Sequence, residues 1–365
     1  MPSFGDVLAV LKDFQNNLEQ QTQQEVEVGF QSGSGTMRAF ASLGGDGAFA
    51  TSLSNVHATG VGVRVKAGKV VPGEFVLKVY VFAKLPLGDK TPGITTRFNE
   101  ITVDVEPLPV QLALAGARAR AAAVLPPVIP AQRQRRRPIV GGLSIAPLNG
   151  SFVGTLGCFL RRTTGGSEQI FGLSNNHVMA AVNQLPLGTP IVQPGPEVAP
   201  TAPGDVFAAL SAFTEVRFPD AQLGAVMNQL DAAVAIVSNL KAIKRGEIFG
   251  IQKYVPTLAA PLPGMRVTKS GRTTGVTTGI ITATHVSGTQ IDYGTRTAPR
   301  VATFTDTIEI VSDSNLPFSA PGDSGSVILE HETGRPVALL FAGDGRTTTA
   351  CDLGAVCKHF QAQPI

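Results

Sequence analysis

The amino-acid sequence predicts a mainly β protein in which a small α+β domain precedes a larger domain of many short strands. The 365 residues include 40 Gly and 26 Pro but no Trp, which is typical of chains rich in turns and short strands. Short apolar runs recur along the second half without any long helical pattern. With 43% hydrophobic and 16% charged residues, the chain does not have the composition of an extended disordered protein.

Residues 1–115 are predicted to form the α+β domain. Apolar residues recur at helical spacing from Val7 to Leu18, which predicts one N-terminal helix. Alternating apolar residues then predict strands around 61–66, 75–86 and 101–108. The segment carries no cluster of His, Cys or paired carboxylates, so we expect this domain to regulate or assemble the protein rather than to perform chemistry.

Residues 116–138 are predicted to be a linker. An Ala-rich stretch runs into several prolines and the four arginines Arg133, Arg135, Arg136 and Arg137. Such a composition leaves little apolar surface to bury and favours extended, solvated backbone.

Residues 139–365 are predicted to be the β domain. Its clearest strands have the sequences FVGTLGCFL, QIFGLS, LDAAVAIV, GIITAT, ATFTDTIEIV, GSVILE and VALLFAG, and DLGAVCKHFQ is predicted to be a short C-terminal helix. Many short strands and few helices indicate a barrel or a sandwich.

The most specific chemical motif is the sequence Gly-Asp-Ser-Gly-Ser at 322–326, with Ser324 at its centre. Glycines on both sides of Ser324 allow a tight turn that exposes the hydroxyl, and successive backbone N–H groups of such a turn converge on one point. A serine hydroxyl is a poor nucleophile until a neighbouring base removes its proton, so the motif requires a histidine from elsewhere.

His177, in the sequence LSNNHV, is the candidate base because it follows a predicted strand at a position from which a side chain can project. The candidate acid that would orient it is Asp231, which heads the apolar strand LDAAVAIV. A carboxylate in such a strand is buried, and an unpaired buried carboxylate is unfavourable. Asp205 and Asp220 are the alternative acids, and both are expected in exposed turns.

These motifs, in the order His, Asp, Ser, resemble those of chymotrypsin/trypsin-like serine proteases. They are similar in particular to bacterial trypsin-like proteins with a small N-terminal domain and to plant Nal1-like proteases, and the resemblance spans most of the chain. It implies a chymotrypsin-like double β-barrel with His177, Asp231 and Ser324 as the catalytic triad. It also implies an oxyanion hole formed by the N–H groups of Gly322 and Ser324, and no metal or organic cofactor.

The same resemblance places the substrate pocket between Phe318, at its floor, and Phe341 and Gly343, at its wall. These groups indicate a small or medium apolar side chain in the substrate. In zymogen-type relatives, the aspartate at the position of Asp323 binds a new N-terminus after cleavage. Because Pro138 follows the arginines, and Arg–Pro bonds resist trypsin-like cleavage, we do not expect activation by release of Ile139.

Serine endopeptidase is therefore the predicted function, with a peptide or protein as substrate. The alternative is a protease-like scaffold that binds peptides with little or no cleavage. A third hypothesis, nucleic-acid or acidic-membrane binding by the four arginines, is disfavoured because no aromatic residues interleave them and the net charge is only +3.

The remaining expectations concern location and assembly. Three cysteines are too few for a disulfide framework, and the N-terminus does not match a signal peptide. No apolar run reaches the roughly 20 residues that a transmembrane helix needs. The sequence therefore predicts a cytoplasmic protein without a membrane partner, and a homo-oligomer built through the N-terminal domain is an expectation.

Overall fold

The structure is a computed structural model, and it describes residues 1–31, 55–66, 69–82, 94–113, 116–117, 129–150, 152–196, 203–219, 226–295 and 297–365. The chain divides into two compact units, unit 1 (Met1–Pro109) and unit 2 (Val110–Ile365). Strands account for 49% and helices for 13% of the described residues, so the predicted mainly β fold class is confirmed.

Unit 1 consists of one helix packed on a small sheet. The first two strands pair antiparallel, the second and fourth pair parallel, and the third and fourth pair antiparallel. Val7, Leu11 and Phe14 on the helix pack against Val61 and Leu77 of the sheet, because the helical repeat places these apolar residues on one face. The elements are α1 (Phe4–Gln31), β1 (Val56–Lys66), β2 (Lys69–Val81), β3 (Arg97–Phe98) and β4 (Ile101–Pro107).

The first barrel of unit 2 is built around one nine-stranded sheet. In addition to the strand pairing, the N–H of Gly157 donates to the carbonyl of Leu173, and the N–H of Leu173 donates to the carbonyl of Cys158. These two bonds join the chain after β9 to β11, so that the sheet nearly closes into a barrel. Its strands are β6 (Gly116–Ala117), β8 (Ser144–Pro147), β9 (Phe152–Thr155), β10 (Phe159–Thr164), β11 (Ser167–Ser174), β12 (Pro190–Val192), β13 (Val206–Phe213), β15 (Ala233–Val237) and β26 (Gln363–Pro364).

The second barrel is a closed ring of six antiparallel strands. Alternate side chains of these strands fill its interior, which includes Val267, Ile281, Ile310 and Leu340. The two barrels together make the double β-barrel that the sequence predicts. The ring consists of β18 (Arg266–Gly271), β19 (Gly275–Ser287), β22 (Thr307–Ser312), β25 (Thr347–Asp352), β24 (Pro336–Gly343) and β23 (Val327–Glu330).

Shorter elements complete unit 2. The helices are α2 (Asn176–Met179) and α3 (Leu353–Phe360), with 3₁₀ turns at Ala131–Arg133, Pro203–Asp205 and Leu240–Ala242. The remaining strands are β5 (Gln111–Ala113), β7 (Ile139–Gly141), β14 (Met227–Asn228), β16 (Ile243–Ile248), β17 (Gln252–Lys253), β20 (Thr289–Asp292) and β21 (Val301–Phe304). Within the described part of the chain, no helix has both the length and the apolar character needed to cross a bilayer.

Candidate active site

The pairing of β11 with β15 places the candidate base beside the candidate acid. Ser174, at the end of β11, lies opposite Ala233, at the start of β15. The chain therefore leaves β11 into the short helix that carries His177 next to the point where it enters β15 just after Asp231. Both side chains are buried, with 2% of His177 and none of Asp231 exposed.

His177 and Asp231 form a close pair. The Nδ1 atom of His177 lies 2.5 Å from Oδ2 of Asp231, and the backbone N–H of His177 donates to Oδ1 at 3.3 Å. Because a carboxylate oxygen only accepts hydrogen bonds, Nδ1 carries the proton and Nε2 is left as the accepting nitrogen. The arrangement fixes both the tautomer and the orientation of the ring.

A third donor to the aspartate is Tyr293, which the sequence analysis missed. Its hydroxyl donates to Oδ2 of Asp231 at 2.8 Å, and its ring packs edge-on against His177. Burial first, and the adjacent Asp231 charge second, raise the pKa of Tyr293 well above its usual value. The hydroxyl therefore keeps its proton and remains a donor. No motif surrounds Tyr293, so only the folded structure reveals this contact.

Asparagine side chains hold the backbone around the pair. The amide of Asn175 donates to the carbonyl of Asp231 at 2.6 Å, and the amide of Asn176 donates to the carbonyl of Thr214 at 2.6 Å. The N–H of Asp231 lies 3.4 Å from Sγ of Cys351. These contacts tie the loop before β15 to α2 and β25.

Ser324 lies in the tight turn that precedes β23, as the glycines around it predict, but the prediction that the turn exposes its hydroxyl is wrong, because Ser324 is fully buried. Gly325 has φ of +90°, and a Cβ there would lie 2.2 Å from the carbonyl oxygen of Thr155. Only glycine fits this approach. The N–H of Thr155 donates to the carbonyl of Ser324 at 2.8 Å, which joins the turn to the first barrel.

Gly154 shows how closely the base and the serine segments approach each other. A Cβ at Gly154 would lie 2.5 Å from Cγ2 of Val178, the neighbour of His177, and 3.0 Å from the carbonyl oxygen of Ser324. The two segments therefore border the same glycine.

The Ser324 hydroxyl does not donate to His177 in this structure. It donates instead to the carbonyl of Phe341 at 3.3 Å, while Nε2 of His177 is buried and has no hydrogen-bond partner among the described residues. The structure thus brings together the predicted base and acid, and it does not join the serine hydroxyl to them.

Two backbone N–H groups of the turn have no acceptor within the described part of the chain. The N–H groups of Asp323 and Gly325 donate to carbonyls of the fold, whereas those of Gly322 and Ser324 make no such bond. Gly322 has φ of +102°, a conformation that residues with a side chain rarely adopt. The role of these two N–H groups as an oxyanion hole stays a prediction.

Asp323 is fully buried and forms an ion pair with Lys269, whose side chain is also fully buried. Nζ of Lys269 lies 3.3 Å from Oδ2 of Asp323, and the N–H groups of Thr273 and Thr274 donate to Oδ1. Burial lowers the pKa of Lys269, and Asp323 opposes that shift. Asp323 thus has an ammonium partner within the chain, while Ile139 is buried in β7.

A cavity of about 580 Å³ lies beside the serine turn. Gly343 lines it, together with Leu112, Leu316 and Pro317. Phe318 and Phe341 do not line this cavity, because both side chains are buried in hydrophobic cores. Of the three predicted pocket residues, the structure therefore places Gly343 at the cavity, and the side-chain preference stays a prediction.

The family comparison agrees with this geometry. The model of the Nal1 C-terminal domain matches residues 131–352, which is more than half of the chain. The chain belongs to the Nal1 C-terminal domain family. The resemblance to Nal1-like proteases that the sequence predicts is thereby confirmed. No curated protein matches the chain.

Solved structures similar to this chain include serine proteases. Thermobifida fusca Protease A is 15% identical with a TM-score of 0.41, over 62% of this chain and 98% of its own. A glutamic acid-specific serine protease is 14% identical with a TM-score of 0.41, over 62% and 100%. Cellulomonas bogoriensis chymotrypsin is 16% identical with a TM-score of 0.40, over 62% and 98%. At these values we draw no functional argument from the likeness.

All four arginines of the predicted linker contact other residues of unit 2. Nε of Arg133 donates to the carbonyl of Arg272, and the Arg136 guanidinium lies 4.8 Å from the centre of the Phe249 ring. Arg137 donates to Oε1 of Gln193 at 2.6 Å. The other member of the run, Arg135, pairs with Asp205.

Asp205 does not take the place of Asp231 beside His177. Asp205, expected to be exposed, is largely buried because Arg135 and Arg137 pair with it. Asp220 lies outside the described residues.

The cysteines Cys158, Cys351 and Cys357 are free and buried. Burial is the main cause that raises the pKa of all three thiols, to about 12 for Cys357 and further for the other two.

We expect Lys269→Met to lower the free energy of unfolding by about 3–5 kcal/mol, because it leaves the Asp323 carboxylate buried without its cation. Lys244→Met is the matched control, since Lys244 forms an exposed pair with Glu247 and should contribute less than about 1 kcal/mol. Urea unfolding measures both changes. Equal losses in the two variants would contradict a special role for the buried pair.

Proposed function

We propose that this protein is a serine endopeptidase that cleaves peptide bonds through an acyl-enzyme. The observation that carries the proposal is the buried His177–Asp231 pair, which leaves Nε2 of His177 as an unpartnered acceptor next to the segment that carries Ser324. An unsatisfied buried acceptor is unfavourable, and a serine hydroxyl turned from Phe341 towards His177 would satisfy it.

In the proposed reaction, Ser324 Oγ attacks the substrate carbonyl carbon while Nε2 of His177 accepts the hydroxyl proton. Asp231 holds the ring and stabilises the imidazolium that forms. The N–H groups of Gly322 and Ser324 stabilise the oxyanion. His177 then donates its proton to the leaving amine, and a water molecule hydrolyses the acyl-enzyme by the same steps.

The test of the reaction is labelling by a fluorophosphonate together with hydrolysis of a peptide library. Ser324→Ala should abolish labelling, because it removes the nucleophile. His177→Ala should remove nearly all hydrolysis, because it removes the base. In Asp231→Asn, kcat should fall about 10⁴-fold, as it does for the chymotrypsin triad. Asp205→Asn is the control acid and should retain activity. Full activity of Asp231→Asn would refute this triad.

Tyr293 is proposed as a positioning residue that acts through Asp231. Tyr293→Phe keeps the ring and removes one donor to Oδ2, so we expect kcat to fall roughly 10- to 150-fold, which corresponds to about 1.5–3 kcal/mol for a hydrogen bond to a charged group. KM should stay unchanged because Tyr293 does not hold substrate in this scheme. Tyr254→Phe is the control, since that hydroxyl donates to the carbonyl of Ile365. A fall in both variants alike would indicate a merely structural effect.

The second candidate function is a peptide-binding scaffold with little or no cleavage. The bond from Ser324 to the Phe341 carbonyl favours it, because in that orientation the hydroxyl is not activated. Fluorophosphonate labelling separates the two functions, since a scaffold of this kind would bind peptides without reacting.

We also propose that peptides or proteins with small or medium apolar side chains are the substrates and that the protein works in the cytoplasm. The apolar lining residues Leu112, Leu316 and Pro317 support the first point, and the free thiols support the second. Unit 1 is proposed to regulate the protease or to assemble a homo-oligomer. Light scattering of the full chain would measure the mass, and a monomer at working concentration would refute assembly.

A further inference from the structure

The short strand β5 lies along β24, close to the serine turn. β5 and β24 pair antiparallel, with Ala113 opposite Ala342 and Leu112 opposite Gly343. On its other side, β5 pairs parallel with β20. A segment of only three residues, at the beginning of unit 2, is thus inserted between two strands.

The direction of β5 brings the chain towards Ser324. As the chain advances from Leu112 to Ala113, its partner on β24 moves back from Gly343 to Ala342, and the next residue of β24 is Phe341. The carbonyl of Phe341 is the acceptor of the Ser324 hydroxyl. An extended chain on this edge therefore runs towards the nucleophile.

The same chain pairs again on the far side of the serine turn. Gly116 and Ala117 form β6 and lie antiparallel to β9, opposite Val153 and Phe152. β9 adjoins the nucleophile, because the N–H of Thr155 donates to the carbonyl of Ser324. Residues 114 and 115, between the two strands, lie outside the described residues.

We propose that the protein's own strands β5 and β6 occupy, as a resident ligand, the edges of β24 and β9 that would bind a peptide substrate. The inference rests on the proposed function for its meaning, because β5 and β6 pair with the two strands that contact Ser324, as an extended substrate strand would. The sequence of this segment, residues 111–117, is Gln-Leu-Ala-Leu-Ala-Gly-Ala, which is uncharged and free of proline, so the ligand class is an extended apolar peptide. A peptide from another molecule has to displace the segment before it binds.

In the described part of the segment, side chains contact the fold at Gln111 and at Ala113, which packs against the hydrophobic core. Gln111 is fully buried, and its Oε1 accepts a hydrogen bond from the hydroxyl of Thr349 on β25. Leu112 is 57% exposed and borders the cavity beside the serine turn. One buried anchor and a three-residue ladder form a contact that a competing peptide can replace.

The test measures binding of a fluorescent peptide with the sequence of residues 111–117 to the full-length Ser324→Ala protein. In that background, Ala113→Pro removes a backbone donor and restricts the strand, whereas the control Ala113→Ser keeps the donor. Thr349→Val weakens the attachment of the segment in a second way, because it removes the donor to Gln111 without altering the segment itself. We expect Ala113→Pro and Thr349→Val each to bind the peptide at least tenfold more tightly than Ala113→Ser.

Equal affinity in all of these variants, or no binding in any, would overturn the proposal. Fluorophosphonate labelling of the Ala113→Pro variant with Ser324 intact reports separately on the reaction, because the resident strand is displaced there and cannot block the reagent. Tighter peptide binding without any labelling would support the resident segment and refute the peptidase. Labelling with unchanged peptide affinity would support the peptidase and refute the resident segment. Cleavage of the chain between Ala113 and Gly116, seen by intact mass in the wild type and absent from Ser324→Ala, would add support by showing that the segment is held as substrate.

Discussion

The site depends above all on a carboxylate that is fully removed from water. A buried charge is tolerated only when several donors surround it, and Asp231 obtains them from two distant parts of the chain. His177 supplies its ring and its backbone N–H from α2, and Tyr293 supplies its hydroxyl from the segment after β20. The need to satisfy this one group therefore fixes the orientation of the imidazole and positions the hairpin that carries the tyrosine.

Close backbone contact between the two barrels is the second constraint. At Gly157, an added Cβ would lie 2.5 Å from the carbonyl oxygen of Gly325, and the hydroxyl of Thr155 donates to the carbonyl of Gly322 at 2.9 Å. The serine turn is thus packed closely against β9 and the residues that follow it. Packing at this density allows little adjustment, because any side chain larger than hydrogen would separate the barrels.

Local sequence was enough to predict the residues whose surroundings are also local. The glycines around Ser324, the apolar strand behind Asp231 and the strand end before His177 each indicated a geometry that the structure contains. The N-terminal helix and the main strands were predicted for the same reason, since their hydrophobic periodicity reflects burial directly. Composition alone did not reveal the acceptors that Arg133–Arg137 reach on unit 2, because those acceptors lie far away in the chain.

The contacts that the sequence did not reveal join segments far apart in the chain. Lys269 follows Val267 at the spacing of one strand face, which was a signal of burial, but its partner Asp323 emerges only from the fold. Tyr293 has no motif around it. The three residues of β5 are too few for periodicity to predict a strand, and their place between β20 and β24 is set by those neighbours.

The buried cysteines have a consequence for chemoselectivity. Only a thiolate reacts readily with electrophiles, and burial raises the pKa of Cys158, Cys351 and Cys357 far enough to keep them as thiols. Reagents that attack serine and cysteine indiscriminately, such as chloromethyl ketones or β-lactones, therefore meet no competing sulfur nucleophile on the folded protein. A covalent adduct formed under native conditions can accordingly be assigned to oxygen or imidazole chemistry, without first replacing the cysteines.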